Sequence, residues 1–345
     1  MAETLRVGVL GLTHDHVWQN LRELREVADV EIVAAADPND ELLYQFQQET
    51  GCEQIFTSYE PLLGEVEVDA AYVFSDNATG ADLAAAAASI GLHVLVEKPM
   101  GADLDGANRL VAAAAESEVT LLVNWPFAWL PQLQHGIALA QAGEIGTILG
   151  TRYRSAHEGP KELGCSPYFY NWLHNNELNG AGAYMDYCGY GVALARTLLG
   201  VPTRVSAMIG HLHKDYVMVD DNAVLTMQWP RAMAVAEASW TQIGKLTAYM
   251  GVIYGSEGTL LIEPGTAGRL LLATREQAEG VAVDVPALPP EQQSASAYFA
   301  HCIRNGVAVE GLCSPRVGRD AQEILEAGLL SSMRGEVVSL PLSVY

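Results

Sequence analysis

The chain has 345 residues, half of them hydrophobic, and its 19 basic and 42 acidic side chains give a formal charge of −23. That length suits two domains, each able to bury its own core, and the acidity repels phosphate backbones and anionic headgroups, which argues against nucleic acid and membrane partners. No apolar run reaches the roughly 18 residues of a membrane span, and the start MAETLRVGVL lacks a leader's basic flank and apolar core, so a cytoplasmic location is expected.

The first part of the chain alternates strand-like and helix-like segments. RVGVLGL is a short apolar run ending in a turn, VWQNLRELREV has helical apolar spacing, and EIVAAADP is a second run stopped by Asp37-Pro38. ELLYQFQQETG, DAAYVFSD, DLAAAAASIG, HVLVEKP, NRLVAAAAESE and TLLVNWP continue the alternation. Repeated β-α-β predicts a doubly wound parallel sheet, a Rossmann domain spanning residues 1–124, with ligands at the carboxyl ends of its strands. Beyond Trp125 come an irregular aromatic segment, KELGCSPYFYNWLHNNELNGAG, and a helix ended by Gly200. TRVSAMIG, NAVLTMQWP, MAVAEASWT, LTAYMGVIYG, GTLLIEP and RLLLAT follow at hairpin spacing. Residues 125–345 are therefore expected to form an α+β domain with a large, mainly antiparallel open sheet.

The turn GLTHDH stands where a dinucleotide fold usually has G-x-G-x-x-G. Gly11 fills the first glycine's role, Thr13 can cap the next helix or donate to a phosphate, and His16 replaces the third glycine, with His14 between them. Asp37, ending the second strand, suits the ribose hydroxyls of NAD and would repel the 2′-phosphate of NADP, although Asp-Pro is also an ordinary turn. Two histidines at i, i+2 on a helix would face apart, so no metal is expected there. The five cysteines lack C-x-x-C spacing, which argues against a disulfide framework or structural zinc.

Val96-Glu97-Lys98-Pro99 lies at the end of another expected strand. With RVGVLG, FSDNATGADL, HVLVEKPMG, GEIGTI and NGAGAYMDYCGYGVALARTLLG, the chain resembles the glucose-fructose oxidoreductase, inositol dehydrogenase and MocA family over nearly its full length. The resemblance implies that Glu97 and Lys98 are the family's E-K-P pair, with the lysine near substrate and nicotinamide. It implies that Asn77 lies near the cofactor, that Asp186 faces the substrate, and that Tyr190 replaces the usual catalytic histidine. Asp186 and Tyr190 are i, i+4 and share a helix face; a lysine ammonium there would favour phenolate and make Tyr190 a proton acceptor, the alternative being a packed aromatic. Departures are the two missing glycines, Ser75-Asp76 for Thr-Pro, Gly80 for a histidine, Ala193 for an acid, and the absent arginine around Trp125.

HEGPKELGCSPYFYNWLHNN supplies aromatic faces and polar groups suited to a polyol. Trp125, His157, Tyr168, Trp172 and His174 are accordingly the expected substrate contacts, with Asp186. The expected activity is NAD-dependent hydride transfer at a CH–OH group of a sugar, polyol or related cyclic alcohol. Two alternatives are NAD-assisted glycoside cleavage without net redox change and a ligand sensor that has lost turnover. Apolar sheet runs in the second domain suit a homo-oligomer, dimer or tetramer, and equally an internal core.

Overall fold

The structure is a computed structural model that describes residues 4–263 and 268–342. Pro264, which ends the run GTLLIEP, lies outside the described residues.

Six parallel strands form the first sheet: β1 Leu5–Leu10, β2 Val30–Ala36, β3 Ile55–Phe56, β4 Ala70–Val73, β5 His93–Glu97 and β6 Leu121–Asn124, in the order β3-β2-β1-β4-β5-β6. The connecting helices are α1 His16–Arg25, α2 Asp40–Thr50, α3 Glu60–Glu65, α4 Asn77–Ser89 and α5 Leu104–Glu116. Both faces of the sheet are covered, which is why Ala34 to Ala36, Ala70 to Val73 and Val94 to Val96 are buried without alternation. Caps set the helix starts: Asp76 accepts from the Thr79 N–H and Asp103 from the Gly106 N–H, at 2.9 and 2.8 Å. The strand order reverses between β1 and β4, opening a crevice at their carboxyl ends. Gly11 sits in it with φ of 84°, and a Cβ there would lie 2.8 Å from the Ser75 backbone nitrogen, so only glycine fits.

After α6 Pro131–Gln141, the second sheet comprises β7 Ile148–Ala156, β8 Arg204–Gly210, β9 Asn222–Trp229, β10 Ala232–Ser239, β11 Tyr249–Gly255, β12 Gly258–Glu263, β13 Arg269–Thr274, β14 Val281–Ala282 and β15 Val338–Ser339. Its order is β14-β13-β12-β11-β7-β10-β9-β8-β15, antiparallel except where β7 meets β10. Between β7 and β8 the chain forms α7 Pro167–Leu173, α8 Asn176–Asn179 and α9 Gly189–Leu199. α9 packs on β7 and β10, while the opposite sheet face carries exposed apolar residues such as Met208, cross-strand to Val224. The closing helices, α10 Ala295–Asn305 and α11 Pro315–Arg334, return to the first unit and pack on α1 and α5.

Candidate active site

The β1–α1 turn is tied from below by Asp37. Its carboxylate accepts the Leu12 N–H at 2.6 Å through one oxygen, and the Asn39 backbone and side-chain N–H groups at 2.8 and 2.7 Å through the other. The residue is fully buried, and burial raises its carboxyl pKa above the ordinary range. The backbone N–H groups of Thr13 and Asp15 find no acceptor among the described residues. They lie at the positive end of α1, where a diphosphate would supply both charge and acceptors, so the turn fits a dinucleotide despite its missing glycines.

The two turn histidines come together instead of facing apart. His14 precedes α1 and is not on it, so the helical spacing does not apply, and its ring centroid lies 4.5 Å from that of His16. His14 is buried against Phe74, Phe169 and Trp172, and burial drives its pKa well below the usual value, leaving it neutral. His16 Nδ1 is 2.9 Å from Glu97 Oε1. The other Glu97 oxygen accepts from Asn124 Nδ2 at 2.8 Å, and Asn124 Oδ1 accepts from Trp129 Nε1 at 2.9 Å.

One residue further along β5's exit, Lys98 precedes a cis peptide to Pro99. Its Nζ donates to Asp186 Oδ1 at 2.6 Å and to the Asp186 carbonyl at 3.0 Å. Both side chains are buried, at 3% and 8% exposure, so this is a desolvated ion pair between the two units. The other Asp186 oxygen accepts from Trp240 Nε1 at 3.3 Å. Asp186 is carried on a π-helical turn, Tyr184–Cys188, leading into α9. That turn is anchored by Asp220, which accepts from the Gly182 and Tyr184 N–H groups at 2.6 and 2.7 Å; burial pushes the Asp220 pKa up to about 6.

Tyr190 does share a side with Asp186, but Lys98 meets the face of its ring, 5.1 Å from the centroid. The ring is wedged among Trp125, Phe127, Tyr153 and Tyr187. Burial, and after it the Asp186 charge, drives the phenol pKa well above 10, opposite to the direction the phenolate expectation requires. Geometry thus favours the packed aromatic. Trp125 is core for the same reason: a Cβ on Gly189 would lie 2.8 Å from its indole, so the glycine lets ring and helix meet.

The aromatic segment divides between two places. Tyr168 donates to Glu41 at the start of α2, and Trp172 Nε1 donates to the Thr13 carbonyl at 3.4 Å, so Trp172 packs on the β1–α1 turn and Tyr168 on the exit of β2. His157 packs its ring on Tyr187, and its Nδ1 accepts the Gly159 N–H at 2.7 Å, leaving Nε2 as donor in the neutral tautomer. Burial lowers its pKa to about 4. His174 lies beside Trp240 with a buried Nε2 that lacks a partner among the described residues. Asn77 donates to Asn179, whose own amide donates to the carbonyls of Leu173, Ala181 and Gly182. Trp240 and Tyr249 lie in strand-like runs with no motif to mark them, and Asn179 and Tyr187 lie in the NGAGAYMDYCG segment without being singled out as site residues.

Family models match on both sides of this cleft. Residues 5–125 match an oxidoreductase family with an NAD-binding Rossmann fold, and residues 134–261 match the GFO/IDH/MocA C-terminal domain. The chain belongs to the Gfo/Idh/MocA family. Among its Gfo/Idh/MocA relatives, a D-xylose 1-dehydrogenase [NADP(+)] of Haloarcula marismortui is 28% identical over 68% of this chain and 65% of its own length. A D-apiose dehydrogenase of Paraburkholderia graminis is 26% identical over 96% of this chain and 88% of its own. A levoglucosan dehydrogenase solved with NADH and levoglucosan superposes with a TM-score of 0.83 at 20% identity, covering 99% of this chain and all of that one. No helix among the described residues is long and apolar enough to cross a membrane.

Proposed function

We propose that the protein is an NAD-dependent oxidoreductase acting on a CH–OH group of a sugar, polyol or related cyclic alcohol, built as a dinucleotide domain and a substrate and oligomerisation domain. The observation that carries this reading is the buried Lys98–Asp186 pair at the carboxyl end of β5, beside a turn with two unpartnered backbone donors. The nicotinamide, when bound, would take or return a hydride. Lys98 would hold the carbinol oxygen and stabilise its developing charge, and the hydroxyl proton would pass to Lys98 Nζ as Nζ hands one of its own to the Asp186 carboxylate it is bonded to. His157 Nε2 and His174 Nε2 would position neighbouring hydroxyls, because one is a free donor and the other a buried group in need of a partner. Tyr190 would serve as the aromatic wall on which the Lys98 ammonium rests.

The preference for NAD over NADP is supported by Asp37, Asp40 and Glu41, which crowd negative charge at the end of β2 where a 2′-phosphate would lie. The exposed Met208 and Val224 support a homo-oligomer formed through the open sheet. The test is to strip the purified protein of nucleotide, titrate it with NAD and NADP separately, and follow nicotinamide absorbance with aldoses, polyols and cyclic alcohols. Net reduction that is lost in Lys98→Met supports the reading. Nucleotide binding without turnover on any of them would favour a sensor.

A further inference from the structure

The hydride-transfer scheme leaves one cluster unused. His14 in the β1–α1 turn, His16 at the start of α1 and Glu97 at the end of β5 each offer a ligand atom, and these atoms lie within 4.8 Å of one another. Tetrahedral N and O ligands on zinc stand about 3.4 Å apart, so binding one ion requires the widest of these separations to close by up to about 1.4 Å, with the part-exposed His16 ring the freest to move. Glu97 is 4% exposed, and among the described residues no lysine or arginine pairs with it, because the adjacent Lys98 is committed to Asp186. A buried carboxylate is stable when a cation or an imidazolium balances it. The carboxylate is also held in place, since Asn124 donates to its second oxygen and is itself fixed by Trp129. Such outer support is what orients metal-ligating carboxylates. The rings are seated likewise, His14 against Phe169 and Trp172.

We infer that His14, His16 and Glu97 form a binding site for one divalent first-row cation, zinc by preference, at the floor of the cleft. Two imidazoles and a carboxylate match the ligand set of three-residue zinc sites, which leave a position open for an oxygen ligand. The dipole of α1 opposes a cation here, but the formal charge on the buried carboxylate outweighs a partial charge shared over the helix end. The inference does not rest on the dehydrogenase reading, since binding is read without turnover.

The experiment uses the full chain freed of metal with a chelator, titrated with Co²⁺ while the visible d–d absorption is followed, and then back-titrated with Zn²⁺. One equivalent of Co²⁺ should give intense bands that Zn²⁺ abolishes. His16→Gln and Glu97→Gln should each lose them, and Asn124→Ser should weaken binding by about 10–100-fold. Zn²⁺ should also raise the Tm of the parent chain and leave that of the two ligand variants unchanged. If Glu97→Gln fails to fold, the half-exposed His16 carries the comparison. Absence of cobalt bands at one equivalent, or parental affinity in folded His16→Gln, overturns the site, and nicotinamide turnover in chelator would leave the dehydrogenase reading standing.

Discussion

Removing Lys98 should harm the protein more than removing the whole ion pair of which it is part. At 2.6 Å the gross attraction between Lys98 and Asp186 is about 6 kcal/mol at an effective dielectric of 20. Desolvating two nearly inaccessible ions costs several kcal/mol each, so the pair contributes little net stability. Lys98→Met leaves the Asp186 carboxylate buried with only the long Trp240 hydrogen bond on its side chain, and should cost about 3–5 kcal/mol. Asp186→Asn strands the ammonium in the same way, although the Asp186 carbonyl still accepts from it. The double variant should be less destabilised than the sum of the singles by about 2–3 kcal/mol. Equilibrium urea titrations of the four proteins at neutral pH close the cycle. Single effects that add within about 0.5 kcal/mol would refute the claim that these two charges depend on each other.

Tyr190→Phe should keep kcat within about threefold of the parent, far from the 10²-fold or greater loss of a general base; a loss of that size in steady-state kinetics would restore the phenol to the mechanism. His157 sets a pH dependence. Its folded pKa of about 4 lies below the ordinary 6.5, so the unfolded chain binds the extra proton between these values and stability falls as pH drops from 6.5 towards 4, by at most about 3 kcal/mol. His157→Gln should flatten that part of the stability profile, measured by urea midpoints across the range. Asp37→Ala strips the Leu12 N–H of its acceptor and should raise the NADH dissociation constant at least about tenfold, while NADPH binding falls less; fluorescence titration of both cofactors gives the ratio. Gly11→Ala should lower stability by about 1–3 kcal/mol through its left-handed backbone and the Ser75 contact, read from thermal unfolding.

The parallel sheet was legible because buried strands and amphipathic helices announce themselves by period, and Asp37-Pro38 and Gly200 mark their stops. Motif named Lys98 and Asp186, which the fold brings into one buried pair, and turn geometry named Gly11, whose φ of 84° needs glycine. The site was not legible where tertiary contact decides. The helical rule separated His14 from His16, but the chain had not yet entered the helix at His14. Shared-face reasoning put Asp186 and Tyr190 on one side and took a lysine there to meet the hydroxyl, whereas Lys98 lies over the ring. Trp172 and Tyr168 have the composition of a sugar wall, yet α7 crosses back to the first sheet, a path set by Asp15 capturing the Ser166 N–H at 2.7 Å. Asn179 opens the NGAGAYMDYCG motif, but its role was not legible there, because it comes from bonding carbonyls that only the folded loop gathers.

That crossing has a thermodynamic consequence. Through Ser166, Phe169 and Trp172 the second unit holds the β1–α1 turn, while further along the same stretch of chain His174 lies beside Trp240 and Asp186 is bonded to Lys98. Any ligand that shifts the segment between Ser166 and Asp186 alters the free energy of the turn, and by reciprocity whatever occupies the turn alters affinity for that ligand by the same factor. A ligand in one half that shifts this segment would therefore change affinity in the other, and titrating each ligand with the other present and absent reads that factor.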